Sequence, residues 1–120
     1  MRLEAIVLDS NNPKVLADFY QKLLGWTECF DDGEYIYLSS DTESIRLIFQ
    51  EDADYKRPTW PTGREQQQQM LHLDFYSDDL EKEVNHAINC GAELSKAQYS
   101  DSWKIMIDPA GHPFCIVKIS

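Results

Sequence analysis

Histidine and aspartate alternate at His72 and Asp74 in the run Met70-Leu71-His72-Leu73-Asp74-Phe75-Tyr76, where most other positions are apolar. In a strand, side chains two apart share a face. Leu71, Leu73 and Phe75 therefore pack inward, and His72, Asp74 and Tyr76 stand on the other side. An imidazole that titrates near neutrality beside a carboxylate can move protons for a bound substrate. Neighbours at this spacing lie about 6–7 Å apart along a strand, so a satisfied polar pair without a direct bond is the competing reading. The same alternation sets Arg46, Ile48 and Gln50 opposite Ile45, Leu47 and Phe49, and sets Cys115 and Val117 opposite Phe114 and Ile116. Cys115 becomes a nucleophile only if its pKa is lowered, whereas a mostly apolar strand raises it; an inert, buried thiol is expected. His112, in Gly111-His112-Pro113, is placed to cap or pack a bend. Trp60 sits in Pro58-Thr59-Trp60-Pro61, a stiff loop that can hold an indole as a lid or stacking wall, or as a plug within the fold. The same two readings apply to Trp103. Gly-rich phosphate loops, CxxC pairs, haem motifs and a Ser/His/Asp context are missing from the sequence.

The elements that must hold these residues follow from periodicity. Leu3 to Asp9 reads as a strand, and Ser10-Asn11-Asn12-Pro13 opens a helix that runs to Gly25 with Val15, Leu16, Phe19, Tyr20, Leu23 and Leu24 on one face. Three strands follow, Thr27 to Phe30, Glu34 to Ser39 and Ile45 to Gln50, separated by Asp31-Asp32-Gly33 and by the polar run Ser40 to Ser44. Glu51 to Gln69 carries Pro58, Pro61, Gly63 and a Gln run, has no apolar period, and reads as a connection. The pattern then restarts. Met70 to Tyr76 is a strand, Ser77-Asp78-Asp79 a cap, and Leu80, Val84, Ala87 and Ile88 a helical stripe closed by Gly91. Strands at Glu93 to Gln98, Trp103 to Ile107 and Phe114 to Ile119 complete it. A shift of 66 or 67 residues lays the second half on the first. This predicts an α+β domain of two βαβββ modules, about 1–50 and 70–120, joined by 51–69. An unrepeated α+β sandwich is the alternative.

A chain of 120 residues is one domain by length. With 42% apolar residues it can bury roughly two-thirds of its unfolded surface. The net charge of −10, without a Lys/Arg cluster, argues against nucleic acid or an anionic membrane as partner. Cys29, Cys90 and Cys115 are odd in number and lack metal-finger or disulfide spacing, which fits a reducing cytoplasm. The N-terminus has no signal-length apolar run and no window approaches a membrane span.

Four stretches give the chain a resemblance to the vicinal oxygen chelate superfamily, which holds glyoxalases, bleomycin resistance proteins and extradiol dioxygenases. They are Leu16-Ala17-Asp18-Phe19-Tyr20-Gln21-Lys22-Leu23-Leu24-Gly25-Trp26, Pro58-Thr59-Trp60-Pro61, Met70-Leu71-His72-Leu73-Asp74-Phe75, and Asp108-Pro109-Ala110-Gly111-His112-Pro113-Phe114-Cys115. The resemblance implies two βαβββ modules forming a half-open barrel around a shared cavity, lined here by Arg46, Gln50, Trp60, His72, Asp74, Trp103 and Cys115 as ligand-binding candidates. In metal-dependent members four positions supply ligands, and these fall on Ala5, Ile48, His72 and Cys115, where His, Gln or Glu is the rule. Only His72 conforms. Zinc accepts an imidazole and a thiolate, but a catalytic zinc normally has three protein donors. No resident cofactor is expected, with a divalent metal as the alternative. The resemblance thus implies a small-molecule-binding protein, with a homodimer as its expected assembly. The competing implication is a lyase, isomerase or dioxygenase acting with metal or through His72 and Asp74 as catalytic pair.

Overall fold

The computed structural model describes residues 1–119. Two compact units divide the chain after Tyr55.

In the first unit, β1 (Ala5–Ser10) leads into α1 (Pro13–Leu24), followed by β2 (Glu28–Asp31), β3 (Tyr35–Ser39) and β4 (Arg46–Glu51). The helix starts where the sequence says it must. Asn12 accepts the Val15 N–H at 3.3 Å, and Pro13, at the first position, has no N–H to leave orphaned. It stops at Gly25, whose left-handed φ of 69° lets its N–H reach the Gln21 carbonyl at 2.9 Å. The strands form one sheet in the order β1-β4-β3-β2, with β1 and β4 parallel and the other pairs antiparallel. Ile36, Leu38, Leu47 and Phe49 are buried on one face, where Phe49 stacks on Tyr20 of α1 at 5.9 Å. Leu16, Ala17 and Phe19 complete that core, while Val15, expected in the apolar stripe, is half exposed in the first turn. Arg46, Ile48 and Gln50 take the other face.

The second unit repeats the plan. It contains β5 (Leu73–Ser77), α2 (Leu80–Cys90), β6 (Glu93–Leu94), β7 (Trp103–Ile107) and β8 (Pro113–Lys118), in the order β5-β8-β7-β6. β5 and β8 are parallel, as β1 and β4 are. The α+β class and the duplicated βαβββ plan are therefore both present. Asp79 caps α2 on the Lys82 N–H. The apolar contacts are fewer here: Ala87 is the one fully buried residue of α2, and Ile88, assigned to its stripe, is exposed. Phe114, Ile116 and Met106 form the core, with Phe75 edge-on to Phe114 at 5.7 Å.

Two strands differ from expectation. The run from Met70 enters the sheet only at Leu73, because its partner β8 opens on Pro113, which has no amide hydrogen to extend the ladder. Met70 and Leu71 are consequently exposed. The strand predicted over Glu93 to Gln98 lasts two residues. Its place beside Ile105 is taken by the Gln98 side chain, which donates to the Ile105 carbonyl at 2.8 Å and accepts its N–H at 2.9 Å. Glu51, expected to open the connection, instead closes β4, and residues 52–72 contain no helix or strand.

The turn before β8 is built on Asp108, which is 1% exposed and accepts from the Ala110 and His112 amides at 2.9 Å and from His112 Nδ1 at 2.7 Å. His112 thus closes the bend, the role its motif suggested. Gly111, with φ 94°, packs directly on the Arg57 side chain.

Candidate functional site

Cross-strand register decides which side chains meet on the helix-free face of each sheet. In the second unit Asp74 of β5 pairs with Cys115 of β8, which pairs with Ile105 of β7. His72, just before β5, bends back on Asp74, with Nε2 3.3 Å from Oδ1. The expected gap between these two is therefore closed: the imidazole is long enough to span one strand step. Both side chains remain about half exposed, and Cys115 is half buried. One donor atom from each of the three lies within 4.8 Å of the others. Burial pushes the Cys115 thiol up to about 11, helped by the Asp74 charge and the hydrogen bond to its carboxylate. A protonated thiol on a carboxylate is a poor nucleophile.

The remaining candidates in this unit stand apart from that trio. Trp103 is on the same face, paired with Val117 and 6.3 Å from the Tyr99 ring. Trp60, in the irregular segment, is half buried, with its indole N–H buried and lacking an acceptor.

In the first unit the corresponding row is Val7, Ile48, Tyr37 and Phe30. A shift of 67 puts Ala5, Val7 and Ile48 where the second unit has His72, Asp74 and Cys115, so this sheet offers no donors there. It offers a pocket instead. An open concavity of about 660 Å³ is lined by Glu28, Cys29, Phe30, Asp32, Tyr37 and Arg46, among others. Phe30 and Tyr37 make an aromatic wall, 6.1 Å between centroids, and the Arg46 guanidinium lies 5.4 Å over the Tyr37 ring. Arg46 also pairs with Glu4 at 3.2 Å, and its buried Nε has no hydrogen-bond partner. The Asp31-Asp32-Gly33 turn is tied down by Asp32, whose carboxyl is held below its usual value first by the Tyr35 amide, then by that of Glu34. Tyr37 donates to the same carboxylate at 3.1 Å, and its hydroxyl is raised, by desolvation first and that bond second. Gln50 is engaged elsewhere, donating to Asp9 at 3.0 Å. Of this pocket, sequence reasoning picked out Arg46 alone. The alternation Tyr35-Ile36-Tyr37-Leu38, which puts both tyrosines opposite the core, was the available signal.

The duplicated βαβββ plan and the helix-free faces define a glyoxalase-type α+β protein. The match to the Glyoxalase-like domain covers residues 5–117, so the chain belongs to that family, within the vicinal oxygen chelate superfamily. Among solved structures it is similar to a glyoxalase/bleomycin resistance protein/dioxygenase family enzyme from Burkholderia phytofirmans PsJN, with TM-score 0.73, 18% identity and full coverage of both chains. A glyoxalase family protein from Enterococcus faecalis gives TM-score 0.70 at 17% identity, covering 98% of this chain and 97% of its own. TnmS3, an antibiotic binding protein from Streptomyces sp. CB03234, gives 0.65 at 12%, covering 100% and 97%. No curated protein matches in sequence.

The superfamily's four-donor metal set does not fit this chain. Ala5 and Ile48 carry no lone pair, and the side chains beside Ile48, Val7 and Tyr37, add no metal-binding donor of the required kind. None of the helices among the described residues is long and apolar enough to cross a membrane.

Proposed function

We propose that this protein binds a small, partly aromatic organic molecule against the helix-free sheet faces of its modules, without the superfamily's metal chemistry. The observation that carries the reading is the first-module pocket. Its volume of about 660 Å³ is in the range of ligand sites, and an aromatic wall with a few fixed polar groups is how such sites obtain affinity and orientation. Phe30 and Tyr37 supply the stacking surface, and the partly exposed Arg46 guanidinium supplies positive charge for a ligand carbonyl or carboxylate. The likeness in fold to an antibiotic binding protein supports binding as the role. The three free cysteines support a cytoplasmic setting, and a homodimer belongs to the same proposal.

A second reading, proton transfer on the ligand, is favoured by the 3.3 Å approach of His72 to Asp74. One experiment separates them. A panel of aromatic acids, ketones and quinones is screened by thermal shift, since a ligand that binds only the folded state raises its stability by mass action. Hits are then incubated with protein and weighed by mass spectrometry. Binding that weakens at least tenfold in Tyr37→Ala and Arg46→Ala, with the ligand unchanged, is the expected result. Conversion of the ligand that stops in His72→Gln would replace the binding reading by the enzymatic one.

A further inference from the structure

The second-module trio is a different kind of site from the one the family's ligand positions describe. Those positions, split between modules, leave this chain with His72 and Cys115 alone. Parallel pairing of β5 with β8 brings a third donor, Asp74, directly beside Cys115, within one module. We infer that His72, Asp74 and Cys115 form a divalent-metal site belonging to the second module alone, selective for zinc and other thiolate-preferring ions.

Geometry comes first. Tetrahedral zinc with bonds of about 2.0–2.3 Å holds its donors roughly 3.3–3.7 Å apart. His72 Nε2 and Asp74 Oδ1 are already at 3.3 Å, and the whole trio lies within 4.8 Å. Rotation of the donor side chains closes the remainder. Three protein donors leave a fourth position for water or for an oxygen of a bound molecule, the arrangement of an open rather than a closed zinc site. The donor types set the selectivity: imidazole, carboxylate and thiolate together suit zinc or cobalt, and disfavour magnesium, which wants six oxygens.

Access and charge agree. His72 and Asp74 are half exposed, so an ion reaches them from solvent, and the chain carries a net charge of −10. Cys115 is the partly buried anchor. On binding, the S–H bond breaks, the sulfur keeps the electron pair and bonds the metal, and the proton passes to water or buffer; no electrons are transferred. The metal's own charge overcomes the burial and carboxylate that hold the free thiol protonated. The corresponding Ala5, Val7 and Ile48 make the first module its own negative control.

The test uses the full chain, freed of metal by chelator and titrated with cobalt(II) alone, with no organic ligand present. It therefore stands or falls independently of the binding proposal. One equivalent is expected to give the strong visible bands of tetrahedral cobalt and a near-ultraviolet thiolate-to-cobalt band, both abolished by zinc. Cys115→Ser should lose the thiolate band, whereas the double change Cys29→Ser with Cys90→Ser should keep it. His72→Gln and Asp74→Asn should each weaken cobalt binding by about tenfold or more, the scale on which even outer-shell changes act. Melting curves confirm that each variant folds, and Cys115→Ala replaces Cys115→Ser if the latter does not. The inference is overturned if wild-type protein gives only the weak bands of octahedral cobalt. It is equally overturned if the thiolate band survives loss of Cys115, or if neither His72→Gln nor Asp74→Asn changes the affinity.

Discussion

Metal-free Cys115 should resist alkylation, and the structure sets by how much. Its thiol is raised from 9.0 to about 11, with burial as the leading cause and Asp74 as the second. At pH 8 that shift cuts the reactive thiolate by about a hundredfold. A more basic thiolate is intrinsically more nucleophilic, and at a Brønsted slope of about 0.4–0.5 this recovers roughly eightfold. The net expectation is about tenfold slower reaction than an ordinary thiol, before partial burial slows it further. The assay is a time course with iodoacetamide in excess chelator, read by peptide mass spectrometry at all three cysteines, with exposed Cys29 in the same chain as comparator. The rate at Cys115 should keep climbing with pH past 9. Asp74→Asn removes the neighbouring charge but not the burial, so it should speed the reaction several-fold without making it ordinary. Stability has the matching sign. The folded state holds the proton more tightly, so this contribution is intact below 9.0 and is lost as pH rises toward about 11. Alkylation of Cys115 at pH 8 as fast as a free peptide thiol, or slower reaction in Asp74→Asn, would refute the reasoning.

Three further changes probe the frame around the second-module trio. Asp108→Ala removes a fully buried acceptor of two backbone amides and of His112; urea unfolding should show a loss of about 2–4 kcal/mol. Gly111→Ala puts a methyl group against Arg57 at φ 94° and should cost about 1–3 kcal/mol. Adding Arg57→Ala should return only the part due to the clash. Gln98→Ala removes both side-chain bonds to the Ile105 main chain, leaving its N–H without that acceptor and its carbonyl with the Ser95 amide, and calorimetry should register about 1–3 kcal/mol of destabilisation.

Much of this fold is legible from local chemistry. Asn12-Pro13 and Gly25 bracket α1, Asp79 and Gly91 bracket α2, and the repeat at 66–67 residues predicts the second sheet from the first. Period-two alternation also places Phe114 and Ile116 inside and leaves Cys115 on the other face. What local pattern could not supply was pairing across sequence distance. That Asp74 faces Cys115 depends on the parallel register of β5 and β8, strands separated by a helix and two further strands. Counting donors at the four family positions therefore gave two where space gives three. Similarly, nothing in Glu93 to Gln98 announces that an amide side chain will stand in for a strand. The aromatic pocket was readable in part, because Tyr35 and Tyr37 alternate with Ile36 and Leu38, but Phe30 joins them only through the β2–β3 register.

The Gln98 substitution for main chain also bears on how the molecule behaves among its copies. A sheet edge with free amides and carbonyls is a template for a neighbouring chain, and very short edge strands are one way proteins blunt it. Here β6 offers two residues, and Ile105, the next position along β7, has its N–H and C=O already taken by a side chain and by the Ser95 amide. An incoming strand would have to displace an amide that already makes both bonds. The same contact that shortens a strand thus keeps this flank of the sheet from recruiting another.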